Sequence, residues 1–447
     1  MPSARVSWVS SWAVGALLLV GTAAARAAEP AAAQAGLTLQ GAIELALANN
    51  ERAYKAPARV QAALGGLERA RSAFLPTLSA AGVGGWTSTA DRNGRNLSGD
   101  AELHFSQPIV NAPAFPLYSQ ASHTLEAERW GAVEDLRVLA FDTASAFIAA
   151  LSNEQLLTAA QQRLERAQAD MEDSAARAQA GLTSTNDVTR AQLAVATAQS
   201  QVATAQGNLQ RAYLQLAYLI GEPVAGGLVA PERTTSNARK NTWNPDEVAR
   251  RAEDRRPDVQ EASEHTEALR QGAREPLFRL IPSLGLDAQL RQIIDPGPMD
   301  TATSGSVGLT LTWTIYDAGI RYADRRTRLA QAVSGWLDER ALRRSVANDI
   351  GIAIAQLRAA RTVLQVSEQA VVTAQKNTDE TTILYKQGLA KAIEVTDANA
   401  TRYDAEATLA TAKLGMEQAY LNLRFALGLG PVEDTPPRVG AYVKRTR

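Results

Sequence analysis

The sequence predicts a mainly helical subunit that also contributes strands to a transmembrane β-barrel shared by several identical chains. Three patterns carry that prediction: an internal two-fold repeat, strand-like runs of period two, and helical runs of period 3.5 that are far longer than a globular domain needs. The bulk composition is compatible with it. The chain has 447 residues, is 45% hydrophobic, and balances 46 basic against 47 acidic side chains. A net charge of −1 offers nucleic acid no basic surface. There are no cysteines, which excludes disulfides, thiolate metal sites and a lipid-anchored N-terminal cysteine.

Residues 1–27 read as a cleavable export signal. Arg5 supplies positive charge, Gly15-Ala16-Leu17-Leu18-Leu19-Val20 forms the apolar centre, and Ala25-Arg26-Ala27 fits small-x-small cleavage. The apolar run is shorter than the roughly 18 residues a membrane-spanning helix needs. No later segment is a candidate span, so any membrane insertion must be made by strands.

The repeat appears on self-comparison. Leu75-Pro76-Thr77-Leu78 recurs as Ile281-Pro282-Ser283-Leu284, an offset of 206. Ala180-Gly181-Leu182 recurs as Gln387-Gly388-Leu389, and Gln210 to Leu216 as Glu417 to Leu423, both at an offset of 207. The first copy occupies 28–230, a connector 231–244, the second copy 245–430 and a tail 431–447. Each copy opens with helix, over roughly 37–74 and 245–280, and Pro257 suits a first helical turn because its missing N–H is not needed there.

A strand hairpin follows in each copy, within 76–110 and 282–316. Val307 to Ile315 alternates apolar with small or polar residues, and Leu284, Leu286, Ala288 and Leu290 alternate with Gly285, Asp287, Gln289 and Arg291. Period two separates an apolar from a polar face. Residues 91–98 and 293–304 are rich in turn formers and read as hairpin loops. Lipid on one side and water on the other would use both faces; a half-buried antiparallel sheet gives the same alternation. Trp86, Trp313 and Tyr316 lie near strand ends, where interfacial aromatics sit.

Long helical hairpins come next, over 114–221 and 319–428. Leu139, Thr143, Ala146, Ala150, Asn153, Leu157, Ala160, Leu164 and Ala167 step by four and three, and their equivalents run from Val346 to Ala374. The returning helices carry Ala198, Val202, Ala205, Leu209, Ala212, Leu216 and Leu219, matched by Ala405 to Ala426. These are coiled-coil seams with left-handed supercoiling. A continuous helix over 117–180 would reach roughly 95 Å.

Counting strands decides the architecture. Two hairpins supply four strands, and open edges cannot face lipid, where each unpaired backbone group costs several kcal/mol. Closure takes at least about eight strands. Identical chains joined by cyclic symmetry are the simplest solution, and three would give twelve strands above twelve helix columns.

The repeat, Ile315-Tyr316-Asp317-Ala318-Gly319 after a strand, Arg256-Pro257-Asp258 at a helix start, and the turns at Gly181-Leu182 and Gly388-Leu389 resemble the TolC-type outer-membrane efflux and secretion channels over nearly all of the mature chain. The resemblance implies a homotrimer with a twelve-stranded barrel in the outer membrane and a long periplasmic helical barrel. It also implies partners: a periplasmic adaptor protein and an inner-membrane pump of RND or ABC type. The helix tips would then close the tube at rest, with Gly181, Leu182, Gly388 and Leu389 as candidate docking residues. Glu394 and Asp397 match the family's acidic pair at the constriction, with Glu in the outer place. Tyr385 and Asp187 match a Tyr–acid link between the hairpins, and a supporting family Arg falls on Ala390, beside Lys391. The same acids also suit plain helix chemistry, since Asp187 and Glu394 fall in first turns, where carboxylates gain about 0.3–1 kcal/mol, and 183–186 could simply cap a helix.

Catalysis is not expected. His104, His123 and His265 are scattered without metal-ligand spacing, no phosphate loop or nucleophile elbow occurs, and no cofactor is implied. The rival reading is a soluble periplasmic coiled-coil adaptor or scaffold. It shares the export signal and the heptads but has no use for two lipid-compatible hairpins.

Overall fold

The computed structural model describes residues 36–86, 88–89, 96–224, 226–240, 245–294 and 301–434. The expected export signal, most of the first hairpin loop, half of the second and all but the start of the tail lie outside them.

The first helical stretch is two helices. α1 (Leu39–Asn49) starts on a Thr38 cap whose hydroxyl accepts the Gly41 N–H at 3.1 Å. Asn50 then adopts extended backbone and caps α2 (Glu51–Ser72), its side chain accepting from Arg52 N–H and donating to the Leu219 carbonyl at 3.0 Å. One buried asparagine thus divides the helix and ties it to the end of a helix 169 residues away.

The four strands form one antiparallel sheet in sequence order: β1 (Thr77–Trp86), β2 (Leu97–Val110), β3 (Ser283–Ile294) and β4 (Thr303–Thr312). The β2–β3 pairing joins the two repeats. Pro108 cannot donate to the ladder, and the register shifts between Pro108 and Val110. The strand expected over 307–315 begins earlier and stops at Thr312, because the indole of Trp313 turns back to donate to the Leu280 carbonyl at 3.1 Å.

The register sorts side chains by face. Leu78 lies opposite Phe105, Phe105 opposite Ala288 and Ala288 opposite Val307; one rung on, Ala80, Leu103, Leu290 and Gly305 line up. The other face carries Ser79, His104, Gln289 and Ser306, then Ala81, Glu102, Arg291 and Ser304. Arg291 pairs with Asp100 at 3.3 Å across this polar face, and the His104 ring lies 3.8 Å from Asp287. The apolar face is bare, with Val307 at 76% and Leu309 at 66% exposure. β1 and β4 each have a neighbour on one side only.

α3 (Ala114–Gln179) and α9 (Ile320–Lys386) descend from the sheet for 66 and 67 residues, about 100 Å each. α4 (Thr185–Ile220) and α10 (Ala392–Ala426) return about halfway. In the second hairpin seven of the nine expected seam positions are buried, Val346, Ile350, Ala353, Leu357, Leu364, Ser367 and Ala374, and Ala360 and Val371 are half-buried. The first differs. Leu139, Thr143, Ala150 and Ala160 are buried, while Leu157, Leu164 and Ala167 stay half-buried. Higher up, Leu136, Ala140, Phe147 and Ile148 are buried as well, because α3 packs against α1, α2, α4, α10 and α7 (Pro257–Gly272) together.

That crossing is the waist of the subunit. Arg137 of α3, fully buried, stacks on Phe425 of α10 at 4.1 Å, donates to its carbonyl at 2.8 Å and pairs with Glu134 at 2.7 Å. The expected connector at 231–244 contains a helix, α5 (Glu232–Lys240), whose Ala238 is buried in the apolar cluster of α9 and α10 and whose Arg239 pairs with Glu368 at 2.7 Å. α6 (Pro245–Arg255) and the short α8 (Glu275–Phe278) complete the second copy. Among the described residues no helix is long and apolar enough to cross a membrane.

Candidate functional site

The ends of the helical hairpins farthest from the sheet gather the sequence-predicted site residues. Both reversals use the same device. α3 ends with Gly181 at φ 72°, where glycine avoids the steric strain of the left-handed region, and Leu182 N–H returns to the Arg177 carbonyl at 2.9 Å. α9 ends with Gly388 at φ 77°, and Leu389 N–H returns to the Leu384 carbonyl at 2.8 Å. This six-to-one bond is that of a Schellman motif. It presents Leu182 and Leu389 outward, 78% and 73% exposed.

The two returning helices start differently, and the difference sets the charge at each tip. Ser184 caps α4 in a full capping box: its hydroxyl accepts from the helix and its own N–H donates to Asp187. Asp187 also accepts the Thr183 hydroxyl at 2.5 Å. At the equivalent place in the repeat stands Lys391, which cannot accept, and α10 has no side-chain cap. Glu394, the counterpart of Asp187, therefore has no capping role and is exposed. Asp397, also exposed, replaces Arg190 of the first copy. One tip carries an acid engaged in its own capping box and, one turn on, Arg190; the other presents two solvated carboxylates on one helix face.

Tyr385 and Asp187 are not joined. The Tyr385 hydroxyl is buried without a hydrogen-bond partner, while Asp187 is engaged by its own capping box. What holds the Tyr385 ring is Arg177 of α3, a residue that sequence reasoning missed. Its guanidinium lies 4.4 Å from the ring centroid and donates to the Tyr385 carbonyl at 3.3 Å, and Asp173 fixes it from one turn back at 3.0 Å. Further up, Asn399 of α10 donates to Asp170 of α3 at 2.7 Å, and burial pushes the Asp170 carboxyl above its ordinary value despite that bond. Arg163 stacks on Tyr403 at 4.8 Å, and Arg166 approaches Glu406 at 3.8 Å. Toward the tip the seams within each hairpin are mainly apolar, whereas the contact between the hairpins is a polar ladder.

At the opposite end, Asp317 fixes the junction between β4 and α9. Burial raises its carboxyl, but the backbone N–H of Arg321 at 3.1 Å, the Arg321 side chain at 2.9 Å and the Gly319 N–H outweigh this and hold it below the ordinary carboxylate value. Arg321, itself buried, also donates to the carbonyls of Thr314 and Ile315. Among the described residues, no group of three or more His, Cys, Asp or Glu is placed to hold a metal ion.

The family model described as outer membrane efflux protein matches residues 42–222 and 248–429, one segment in each repeat. The outer membrane protein TolC of Escherichia coli is 25% identical over 413 residues, covering 85% of this chain and 80% of that protein. Among solved structures, VceC of Vibrio cholerae superposes with a TM-score of 0.72 at 19% identity, covering 88% of this chain and 96% of its own. The open-state channel MtrE of Neisseria gonorrhoeae gives a TM-score of 0.74 at 18% identity, covering 89% of this chain and 90% of its own.

Proposed function

This chain belongs to the outer membrane efflux protein family, and from that premise we propose that three copies close a twelve-stranded barrel and act as the exit duct of a tripartite efflux or type I secretion system. The strands lie in the outer membrane and the long helices reach into the periplasm. The reading of the chain as a soluble periplasmic adaptor is set aside, because the channel family covers both repeats, hairpins included. The observation that carries the proposal is the two-faced sheet with an unpaired edge on each side. A ten-residue strand is roughly 33 Å long, and at the usual barrel tilt of about 40° its height is about 25 Å, that of an outer-membrane apolar band. The bare leucines and valines then meet lipid, and the paired charges meet the aqueous lumen.

Small molecules or proteins would pass from the periplasmic side to the exterior, driven by an inner-membrane pump of RND or ABC type through a periplasmic adaptor. The exposed turns at Gly181, Leu182, Gly388 and Leu389 suit adaptor docking, because two apolar knobs on rigid reversals offer contact area at little ordering cost. No catalytic step is required of the chain. We read Glu394 and Asp397 as a constriction ring, six carboxylates in a trimer, which favours cations and is plugged by multivalent ones. Tyr385 and Asp187 belong to the same gate region, with Asp187 shaping the first tip.

The test is electrical. In planar bilayers, Glu394→Gln combined with Asp397→Asn should weaken block by a trivalent cation added on the periplasmic side by tenfold or more, about 1.4 kcal/mol. Block at the wild-type concentration would remove the ring.

A further inference from the structure

We infer that Arg177 is the latch that holds the second helical hairpin against the first at the tip, and that it acts through the face and carbonyl of Tyr385 rather than through the tyrosine hydroxyl. The inference rests on the reading of the tips as the gate, and deepens it.

Three observations converge. Arg177 makes two kinds of contact with the same residue, a stack at 4.4 Å on the ring and a hydrogen bond at 3.3 Å to the carbonyl. These differ in geometry, so together they fix both the lateral position and the height of the α9 end relative to α3. Second, Arg177 is itself oriented by Asp173 on its own helix, so the guanidinium plane is set before it meets the ring. Third, the hydroxyl that would serve a tyrosine–acid link has no partner, and the acid is engaged elsewhere.

The repeat shows that this contact is no by-product of the hairpin design. The counterpart of Arg177 in the second copy is Leu384, 43% exposed, and the counterpart of Tyr385 in the first copy is Ala178. The link exists once per chain and in one direction. A planar cation on an aromatic face is also a contact that can be broken and remade, because the guanidinium recovers its hydration when the two part. An apolar seam lacks that property. The hairpins stay rigid along their seams, and the tip contact between them is the element free to switch.

Single-channel recording of the full-length assembly tests this. Arg177→Ala and Tyr385→Ala should each raise the ratio of open to closed tip by about 2- to 30-fold per protomer, the range spanned by cation–π contacts. Tyr385→Ala leaves the backbone carbonyl that Arg177 also holds, so it should open the tip less than Arg177→Ala, and the double substitution should match Arg177→Ala. Arg177→Lys keeps a cation but loses the planar stack, so it should fall between wild type and Arg177→Ala; it also keeps the test usable if the alanine variant fails to assemble. Tyr385→Phe should behave as wild type. Should Tyr385→Phe open the tip as far as Tyr385→Ala, the hold lies in the hydroxyl and the latch is wrong. A silent Arg177→Ala, or full additivity in the double variant, is equally fatal. If Glu394→Gln with Asp397→Asn relieves cation block while Arg177→Ala does nothing, the latch alone fails. If Arg177→Ala opens the tip and block is unchanged in the carboxylate variants, the ring alone fails.

Discussion

Arg256 and Glu417 show how the waist spends its buried charges, in opposite senses. Arg256 is buried at the start of α7 and grips Asp258 with two bonds, at 3.0 and 2.6 Å. Burial alone would raise the Asp258 carboxyl, but the bonds and charge of Arg256 outweigh it and hold it below the ordinary carboxylate value. A carboxyl depressed in the folded state stabilises above its unfolded pKa, and that stability is lost as pH falls through the depressed value. Asp258→Asn should therefore cost about 3 kcal/mol at neutral pH by leaving Arg256 under-paired, and the difference from wild type should shrink in strong acid, as read by denaturant titration. Glu417 is the reverse: burial pushes its carboxyl up, against the Thr235 hydroxyl that donates to it at 2.5 Å. Its charged form is the unfavourable one, so folding stability declines as pH rises from the unfolded value through the raised one. Glu417→Gln should raise the melting temperature at pH 7 by about 1–3 °C and change it little at pH 4. Of these residues, Arg256-Pro257-Asp258 was legible as a helix start. Glu417 was not, because the Thr235 that meets it sits on α5, in a stretch read as connector. Arg177 was not either, since its partner lies 208 positions away and no local pattern links them.

Elements were legible wherever one period dominates. The period of two revealed the hairpins, and the stepping by four and three revealed the seams, because each face packs against a single kind of neighbour. Legibility failed where several neighbours compete. The upper half of α3 is buried on more than one face, so its heptad is no longer distinct, and the break at Asn50 is set by a tertiary bond to Leu219. The helix ends rank the same way. Gly388 has open space around it, so Gly388→Ala should cost only about 1 kcal/mol, from the left-handed backbone alone. Gly428 has φ 72°, and a Cβ there would meet the Arg256 backbone nitrogen at 3.2 Å. Gly428→Ala should therefore cost more, about 2–4 kcal/mol, and should loosen the Arg256 anchor with it. Guanidinium unfolding of the two variants side by side checks the order; equal losses would show that the waist contact carries no weight.

For the whole molecule the governing fact is that one chain is an incomplete surface. Its sheet has an apolar face with nothing against it, a polar face with paired charges, and two edges that end in unpaired backbone. α4 and α9 likewise carry exposed apolar residues, among them Tyr218 and Val372. The neighbouring copies proposed to complete the sheet would also cover these flanks. The strand count alone implies the proposed assembly, and the residues proposed for the gate are legible only in part, since Glu394 and Asp397 stand out in the repeat while Arg177 does not. Native mass spectrometry of the protein extracted from outer membranes in mild detergent tests the assembly directly. A single species carrying three copies of the chain is the predicted result, and a stable one-chain species would contradict the claim that its edges require neighbours.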